Sequence, residues 1–349
     1  MAFKMTRLSD LAEAGFDSVI DVRAPAEFAE DRVPGAMSLP VLSDEERARV
    51  GTIYVQESPF LARKIGAALV ARNAARHIEG PLADKDGGWQ PLVYCWRGGQ
   101  RSGSFATILK QIGWRVETLE GGYQSYRRLV VERLYDTPIG SRVVLLDGNT
   151  GTAKTDVLAA LRARDVQVLD LEGMANHRGS ALGGQGEQPS QKGFESALAA
   201  AIDALDPDRP VVVEAESSRI GRLNLPPMVV AAMKAASRIE ISAPVEARAQ
   251  YLVRAYADLV SDQSVLEDRL DRLVRLQGRE QVAAWKSLAA EGQHRTLAEE
   301  LISSHYDPRY RKARARIGEA SASVLETNAL DPGDIDRLAD EIAVLLNAL

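Results

Sequence analysis

The chain has 349 residues, a hydrophobic fraction of 45%, a charged fraction of 26% and a formal net charge of −6. That balance is typical of a globular protein long enough for two domains with separate cores, and it argues against nucleic-acid binding by the whole surface. No run approaches the ~18 apolar residues of a membrane span. The opening MAFKMTRLSD lacks the apolar stretch of a secretory signal. The single cysteine, Cys95, allows no intrachain disulfide, so no membrane partner and a cytoplasmic location are expected.

In chain order, a short buried-strand pattern covers Val19–Val22 and gives way to a polar turn and a Val-Pro-Gly turn. Helical apolar spacing runs from Phe60 to Ile78. PLVYC reads as a strand ending at Cys95, SGSFATILKQIG as a helix closed by Gly113, and VETLEGGYQSYRRLV as strand, Gly-Gly turn and helix. Thr137–Gly140 reads as a linker. After it come strand RVVLLD, a glycine loop and a helix from Lys154, then strand VQVLDLEG and a polar Gly-rich loop, NHRGSALGGQGEQPSQ. Helix FESALAAAIDAL, strand PVVVEAES and strand SRIEISAP follow, and from Val245 the period is mostly helical. Alternating strands and helices predict an α/β fold: a parallel-sheet domain over 1–137 and a second domain over 138–349. The second divides into an α/β core of about 140–245 and a mostly helical extension of about 246–349.

Cys95 opens the loop CWRGGQRS, between a strand and a helix. Inward backbone N–H groups of Gly98 and Gly99, the helix N-terminus, Arg97 and Arg101 all favour thiolate over thiol, so Cys95 is expected to be a nucleophile. Two chemistries suit such a loop: sulfur or selenium transfer through Cys95, and phosphate-ester hydrolysis, since Cys95 and Arg101 also fit a cysteine–five–arginine spacing. The segment DVRAPAEFAEDRVPGAMSLP, at its distance from Cys95, resembles the rhodanese family of sulfurtransferases over about residues 1–137.

The second constellation is GNTGTAKT, Gly148 to Thr155. It matches the phosphate-binding P-loop, with Ala153 in place of the second glycine. Gly148, Asn149, Thr150, Gly151, Thr152 and Ala153 supply backbone for a phosphate wrap. Lys154 and Thr155 sit where the phosphate-neutralising charge and the Mg²⁺ ligand of such a loop belong. Alanine is tolerable at an ordinary helix-start φ and costs free energy only if its position needs positive φ or close phosphate approach. The acids Glu214 and Glu216, read as the end of a strand, resemble the metal-holding acids of P-loop proteins. The scattered histidines and lone cysteine offer no zinc site.

Together, CWRGGQRS, EGGYQSYRR, GNTGTAKT, DLEGMANHRGSALGG, QPSQKGFE, VVEAESSRIG and YDPRY resemble the tRNA 2-selenouridine synthases, in which a rhodanese-like domain precedes a P-loop NTPase-like domain. Coverage is close to the full chain, and Ala153 stands where many members carry glycine, which leaves ATP binding and hydrolysis open. The resemblance implies an enzyme acting on tRNA with a 5-substituted 2-thiouridine at the wobble position. It transfers a geranyl group from geranyl diphosphate to sulfur, then uses selenophosphate to replace S-geranyl with selenium. A selenophosphate-supplying enzyme is the implied partner. Cys95 would either carry selenium or assist attack at the ring carbon, and Arg97 and Arg101 would hold the phosphate of selenophosphate. His177 and Arg178, within the family's loop motif, would contact diphosphate or the tRNA base. The alternative is a rhodanese-type sulfurtransferase with a regulatory nucleotide-binding domain, and a third reading is a P-loop kinase with a phosphatase-like cysteine domain.

Smaller signals remain. Glu172 reads as a metal or base contact, or as a helix-capping acid. Tyr126, Arg127 and Arg128 are candidates for an RNA-facing helix surface, as is the basic segment Pro308–Arg316. Arg269, Arg272, Arg275 and Arg279 share a helical face diluted by acids, and Trp285 is expected in a core.

Overall fold

A computed structural model describes residues 2–178, 186–317 and 322–348. The chain forms two compact units: Met1–Thr137 with Pro189–Ala204, and Pro138–Gln188 with Leu205–Leu349. Both are α/β.

The first unit is a parallel sheet of β1 (Ala2–Phe3), β2 (Ser18–Asp21), β3 (Met37–Ser38), β4 (Pro91–Tyr94) and β5 (Glu117–Leu119), in the order β1-β5-β4-β2-β3. β4 is buried at every position, as expected of a central parallel strand covered on both faces. The polar turn expected after Val22 is instead a helix, Pro25–Glu30, started by proline at its first turn and by a Glu27 carboxylate that accepts from the Ala24 N–H. Between β3 and β4 lie the helices Asp44–Gln56, capped reciprocally by Ser43 and Glu46, and Pro59–Glu79, capped by Ser58.

The helix Gln191–Asp203 lay in the second domain by the 138–349 boundary, but it packs in the first unit. Its buried face carries Phe194, Glu195, Ser196 and Leu198. Glu195 pairs with Arg127 and accepts from Tyr135, and the Ser196 hydroxyl donates to Asp31 at 2.9 Å. The same packing corrects the expected RNA face: Tyr126 is buried and Arg127 is committed to Glu195, leaving Arg128 exposed.

The second unit holds a parallel sheet of β6 (Val143–Gly148), β7 (Gln167–Leu169) and β8 (Val211–Glu214), followed along the chain by a small antiparallel pair, β9 (Arg219–Ile220) and β10 (Leu223–Asn224). β11 (Ser237–Ser242) and β12 (Ala322–Glu326) complete the main sheet, in the order β12-β11-β6-β8-β7. β12 interrupts the helical extension and returns the chain to the sheet edge. The intervening helices bury their own core, with Trp285 fully enclosed among Leu266, Leu270, Val282 and Leu297.

Candidate active site

In the first unit, β4 delivers Cys95 into a loop that ends at the helix Gln100–Ile112. Cys95 is 3% exposed, and its Sγ lies 3.2 Å from the Ser102 Oγ. The loop is held from behind by the EGGYQ segment. The Tyr123 N–H donates to the Cys95 carbonyl at 2.8 Å, and the Gln124 N–H donates to the Trp96 carbonyl at 3.1 Å. Gly122 permits this approach. It sits at φ +59, and a Cβ there would fall 2.5 Å from the Gly98 nitrogen and closer still to the Cys95 carbonyl oxygen. Gly98, at φ +67, is under the same constraint, because its Cβ would meet the Leu119 carbonyl at 2.7 Å.

The two arginines differ. Arg97 is exposed, with its Nε donating to Gln124 at 3.2 Å. Arg101 is paired with Glu27 at 2.7 Å, so its charge is compensated beside the loop. Burial alone would raise the Glu27 carboxyl, but Arg101, the Ala24 N–H and Arg47 together hold it below its ordinary value. The Asp-Val-Arg motif has a structural use. Arg23, fully buried, chelates Asp21 through Nε and Nη2 at 2.6–3.1 Å, donates to the Asp31 carbonyl, and stacks 4.1 Å over Tyr123. Tyr123 in turn donates to the Asp31 carboxylate at 2.6 Å. Glu27, Asp31, Ser102 and Tyr123 all lie inside the motifs DVRAPAEFAEDRVPGAMSLP, CWRGGQRS and EGGYQSYRR, but the sequence pattern assigns none of them a role of its own.

In the second unit, β6 runs into the loop 149–153 and the helix Lys154–Arg162. Ala153 does not have an ordinary helix-start φ. It sits at φ 57 and ψ 26, left-handed and buried, where a side chain is disfavoured by about 1–2 kcal/mol. The condition under which alanine is costly is therefore met, and the surrounding core, which includes Val157 and Leu158, holds it there. Gly148, at φ +153, leaves no room for a Cβ against the Thr152 side chain and the Ile241 carbonyl.

Around this loop lies a cavity of ≈ 440 Å³. Thr150 to Thr155 form one wall; Glu172, Glu216, Arg178 and Tyr310 face them. The Lys154 ammonium is folded onto the Gly148 carbonyl at 2.7 Å. Burial opposes its charge, but Tyr310, Glu216, Glu172 and Asp147 outweigh burial and raise its pKa. Arg248, 3% exposed, braces the loop from outside the motif. It pairs with Asp307 at 2.7 Å and donates to the Thr150 carbonyl at 3.2 Å, while Asn149 donates to the same Asp307 at 3.1 Å. Asp307 and Tyr310 belong to YDPRY, which explains that motif beside the loop. Arg248 carried no sequence signal.

The acids are arranged differently from the expected strand-end pair. β8 stops at Glu214, and Glu216 lies in the following loop. Glu216 lines the cavity, whereas Glu214 is buried behind Glu172 and accepts its backbone N–H at 2.5 Å. The other Glu214 oxygen is buried with no hydrogen-bond partner. Burial, then Glu216, pushes the Glu172 carboxyl up to about 9, and burial pushes Glu214 up to about 8. Crowded carboxylates and the Thr155 hydroxyl are oxygen donors of the kind Mg²⁺ takes. Among the described residues no three His, Cys, Asp or Glu side chains form a metal cage by themselves.

Arg178 lines the cavity, stacks 4.5 Å over Tyr256, and pairs with Asp258 at 3.2 Å. His177 does not line it. Burial and then Arg269 hold its imidazole below the ordinary pKa. The rest of the DLEGMANHRGSALGG motif, 179–184, lies outside the described residues. In the basic segment, Tyr310 faces the cavity while Arg309, Arg311 and Lys312 are exposed.

The chain thus joins a rhodanese-type cysteine loop to a cavity lined by a P-loop-like segment. The family model of the rhodanese-like domain matches residues 4–129, and that of the tRNA 2-selenouridine synthase AAA domain matches residues 141–271. A tRNA 2-selenouridine synthase of Alcanivorax borkumensis is 32% identical over 325 residues, covering 84% of this chain and 88% of that one. One of Hahella chejuensis is 34% identical over 309 residues, covering 87% and 75%. One of Psychromonas ingrahamii is 36% identical over 248 residues, covering 70% of this chain and 66% of that relative's length. The chain belongs to the tRNA 2-selenouridine synthase family. No described helix is long and apolar enough to cross a membrane.

Proposed function

We propose that the protein converts a 5-substituted 2-thiouridine at the tRNA wobble position to 2-selenouridine in two steps. The observation that carries the reading is the convergence of Lys154, Thr155, Arg178 and the 150–153 backbone on one cavity, in a chain that also holds the Cys95 loop. In the first step the thiouridine sulfur attacks C1 of geranyl diphosphate. The C1–O bond breaks, diphosphate leaves with the electron pair, and the ring N3 proton goes to water. Charge develops on the departing diphosphate, which the Lys154 ammonium and the loop N–H groups stabilise. Mg²⁺, when bound by Thr155 and Glu216, would supply further charge neutralisation there. Thr155 and the loop orient the diphosphate, and no phosphoryl group is cut.

Alkylation turns sulfur into a leaving group, which a thiocarbonyl is not. In the second step selenium from selenophosphate attacks the ring carbon, the C–S bond breaks and geranylthiol leaves. Water takes the phosphoryl group of selenophosphate, giving phosphate. Cys95 serves this step, with Arg97 as the exposed cation for the selenophosphate phosphate. Cytoplasmic location and a selenophosphate-supplying enzyme as partner go with this reading. The test is incubation with thiolated tRNA, geranyl diphosphate and selenophosphate, followed by mass analysis of the nucleosides. Lys154→Ala should abolish geranylation, and Cys95→Ser should spare it and block selenium incorporation. Loss of geranylation in Cys95→Ser would refute the division of labour, and no geranylated or selenated nucleoside from the unaltered protein would refute the reading itself.

A further inference from the structure

A polar cavity of ≈ 230 Å³ adjoins the one around Lys154. Tyr251 and Arg254, on the helix Val245–Ala255, stand on the walls of both, so the two meet at that pair. The sheet explains the placement. β6, β11 and β12 are adjacent and parallel, so their carboxyl ends lie side by side. The loop 149–153 leaves β6, Pro244 and Glu246 follow β11, and Asn328 to Asp331 follow β12. Neighbouring strands are about 4.8 Å apart, so this cavity starts one strand from the P-loop and reaches ~10 Å from it at the second. Open parallel sheets bind their ligands outside the carboxyl ends of the strands, and the polar cavity prolongs that crevice sideways from Lys154.

The walls select what fits. Gln250 and Asn328 present amides, each with two donors and an acceptor, and Glu246 presents a carboxylate. Asp331 caps the helix Pro332–Ala348 by accepting the Asp334 N–H at 3.0 Å, which fixes a second negative charge at the cavity edge. Arg254 lies 5.5 Å over the Tyr251 ring and donates to the Leu330 carbonyl at 2.6 Å, so its guanidinium is held in place. A phosphate here would meet two carboxylates against one cation. A hydrocarbon chain would desolvate the amides and carboxylates and return no hydrogen bond. A flat, uncharged heterocycle meets neither objection. Its face can lie on a guanidinium, its N–H groups can donate to Glu246, and an amide pairs bidentately with the N6/N7 edge of adenine. We infer that this cavity is the base subsite of an adenine nucleotide whose phosphates lie at Lys154 and the 150–153 backbone. The nucleotide and a prenyl diphosphate then occupy Lys154 in turn, and the nucleotide restrains the geranyl step. The inference shares with the geranyl-transfer reading only the placement of phosphate at Lys154.

The experiment is equilibrium binding of ADP, UDP, inorganic diphosphate and geranyl diphosphate to the full chain with Mg²⁺. ADP and UDP carry the same ribose and diphosphate, so their ratio reads the base alone. A bidentate amide contact discriminates between bases by about 1–3 kcal/mol, so ADP should bind at least about tenfold more tightly than UDP. ADP should also displace geranyl diphosphate competitively. Ala329→Phe, at an exposed position of the loop after β12, should fill the subsite and bring the ADP-to-UDP ratio below about threefold, with inorganic diphosphate and geranyl diphosphate binding unchanged. Ala247→Phe, from the facing helix, should do the same. ADP and UDP binding equally to the unaltered protein would overturn the inference, as would a preference for ADP that survives in both variants. Either result leaves the geranyl-transfer reading untouched. Failure of geranyl diphosphate to bind, with ADP still preferred and sensitive to both variants, strikes that reading and leaves the base subsite standing.

Discussion

Gly122→Ala tests whether the cysteine loop is held by backbone contact from the Gly-Gly turn. At φ +59 a side chain costs about 1–2 kcal/mol. The new methyl would also lie 2.5 Å from the Gly98 nitrogen and 3.0 Å from the Arg97 nitrogen. These are backbone atoms, so no rotamer change relieves the overlap, and forced displacement of a packed segment adds about 1–3 kcal/mol. The hydrogen bonds from Tyr123 and Gln124 to the Cys95 and Trp96 carbonyls must stretch in the process. The expected destabilisation is about 2–5 kcal/mol. Trp89, Trp96 and Trp114 lie in the first unit and Trp285 in the second, so tryptophan emission during urea titration reports mainly the first unit's unfolding. Gly103→Ala is the control. Gly103 lies inside the helix Gln100–Ile112 with nothing within 4 Å of its added methyl, and the change should stabilise by about 0.5–1 kcal/mol. A Gly122→Ala protein within about 0.5 kcal/mol of the parent would refute the argument.

Two further outcomes follow from the cavity at the P-loop. Ala153→Gly relieves left-handed strain but frees the unfolded chain, so stability should rise by about 0–1 kcal/mol with diphosphate affinity retained. A loss above about 1 kcal/mol by calorimetry would show that the alanine methyl's packing outweighs the strain. Glu172 and Glu214 give a pH dependence. Their folded-state values, about 9 and about 8, are raised above the ordinary 4.5, chiefly by burial. Stability from such groups is fully present below 4.5 and is lost as pH rises through the folded values. The second unit should therefore weaken between pH 5 and 9, and Glu172→Gln, which cannot ionise, should flatten that decline. A mutant whose melting temperature falls with pH as steeply as the parent's would count against the carboxylate cluster as its cause.

The chemistry-bearing loops were legible because each is a local backbone pattern. Glycines beside Cys95 and around Lys154 mark turns that few other residues can make, and the strand before and helix after each loop follow from short-range periodicity. Gly113 closing its helix at φ 114 is the same kind of signal. Pro25–Glu30 was missed because a helix of 6 residues, under two turns, is too short for a period to show. β12 was hidden for a related reason: five residues amid helical sequence become a strand through pairing with β11, about eighty residues away.

The sequence by itself therefore determined the two loops, the candidate residues they carry and the α/β order that presents them, because those depend on neighbours along the chain. Tertiary structure decided what surrounds them. Arg101 is neutralised by Glu27, 74 positions away, and Arg248 reaches Asp307, 59 positions on, to brace the P-loop. Glu214 sinks behind Glu172 while Glu216 faces the cavity, and the helix Gln191–Asp203 joins the first unit. A mostly apolar cavity beside Thr150 exists only where helices distant in sequence, carrying Leu259 and Leu297, meet. Side-chain charge and cavity shape are set by groups brought together through space, and no spacing along one chain encodes which of them will touch.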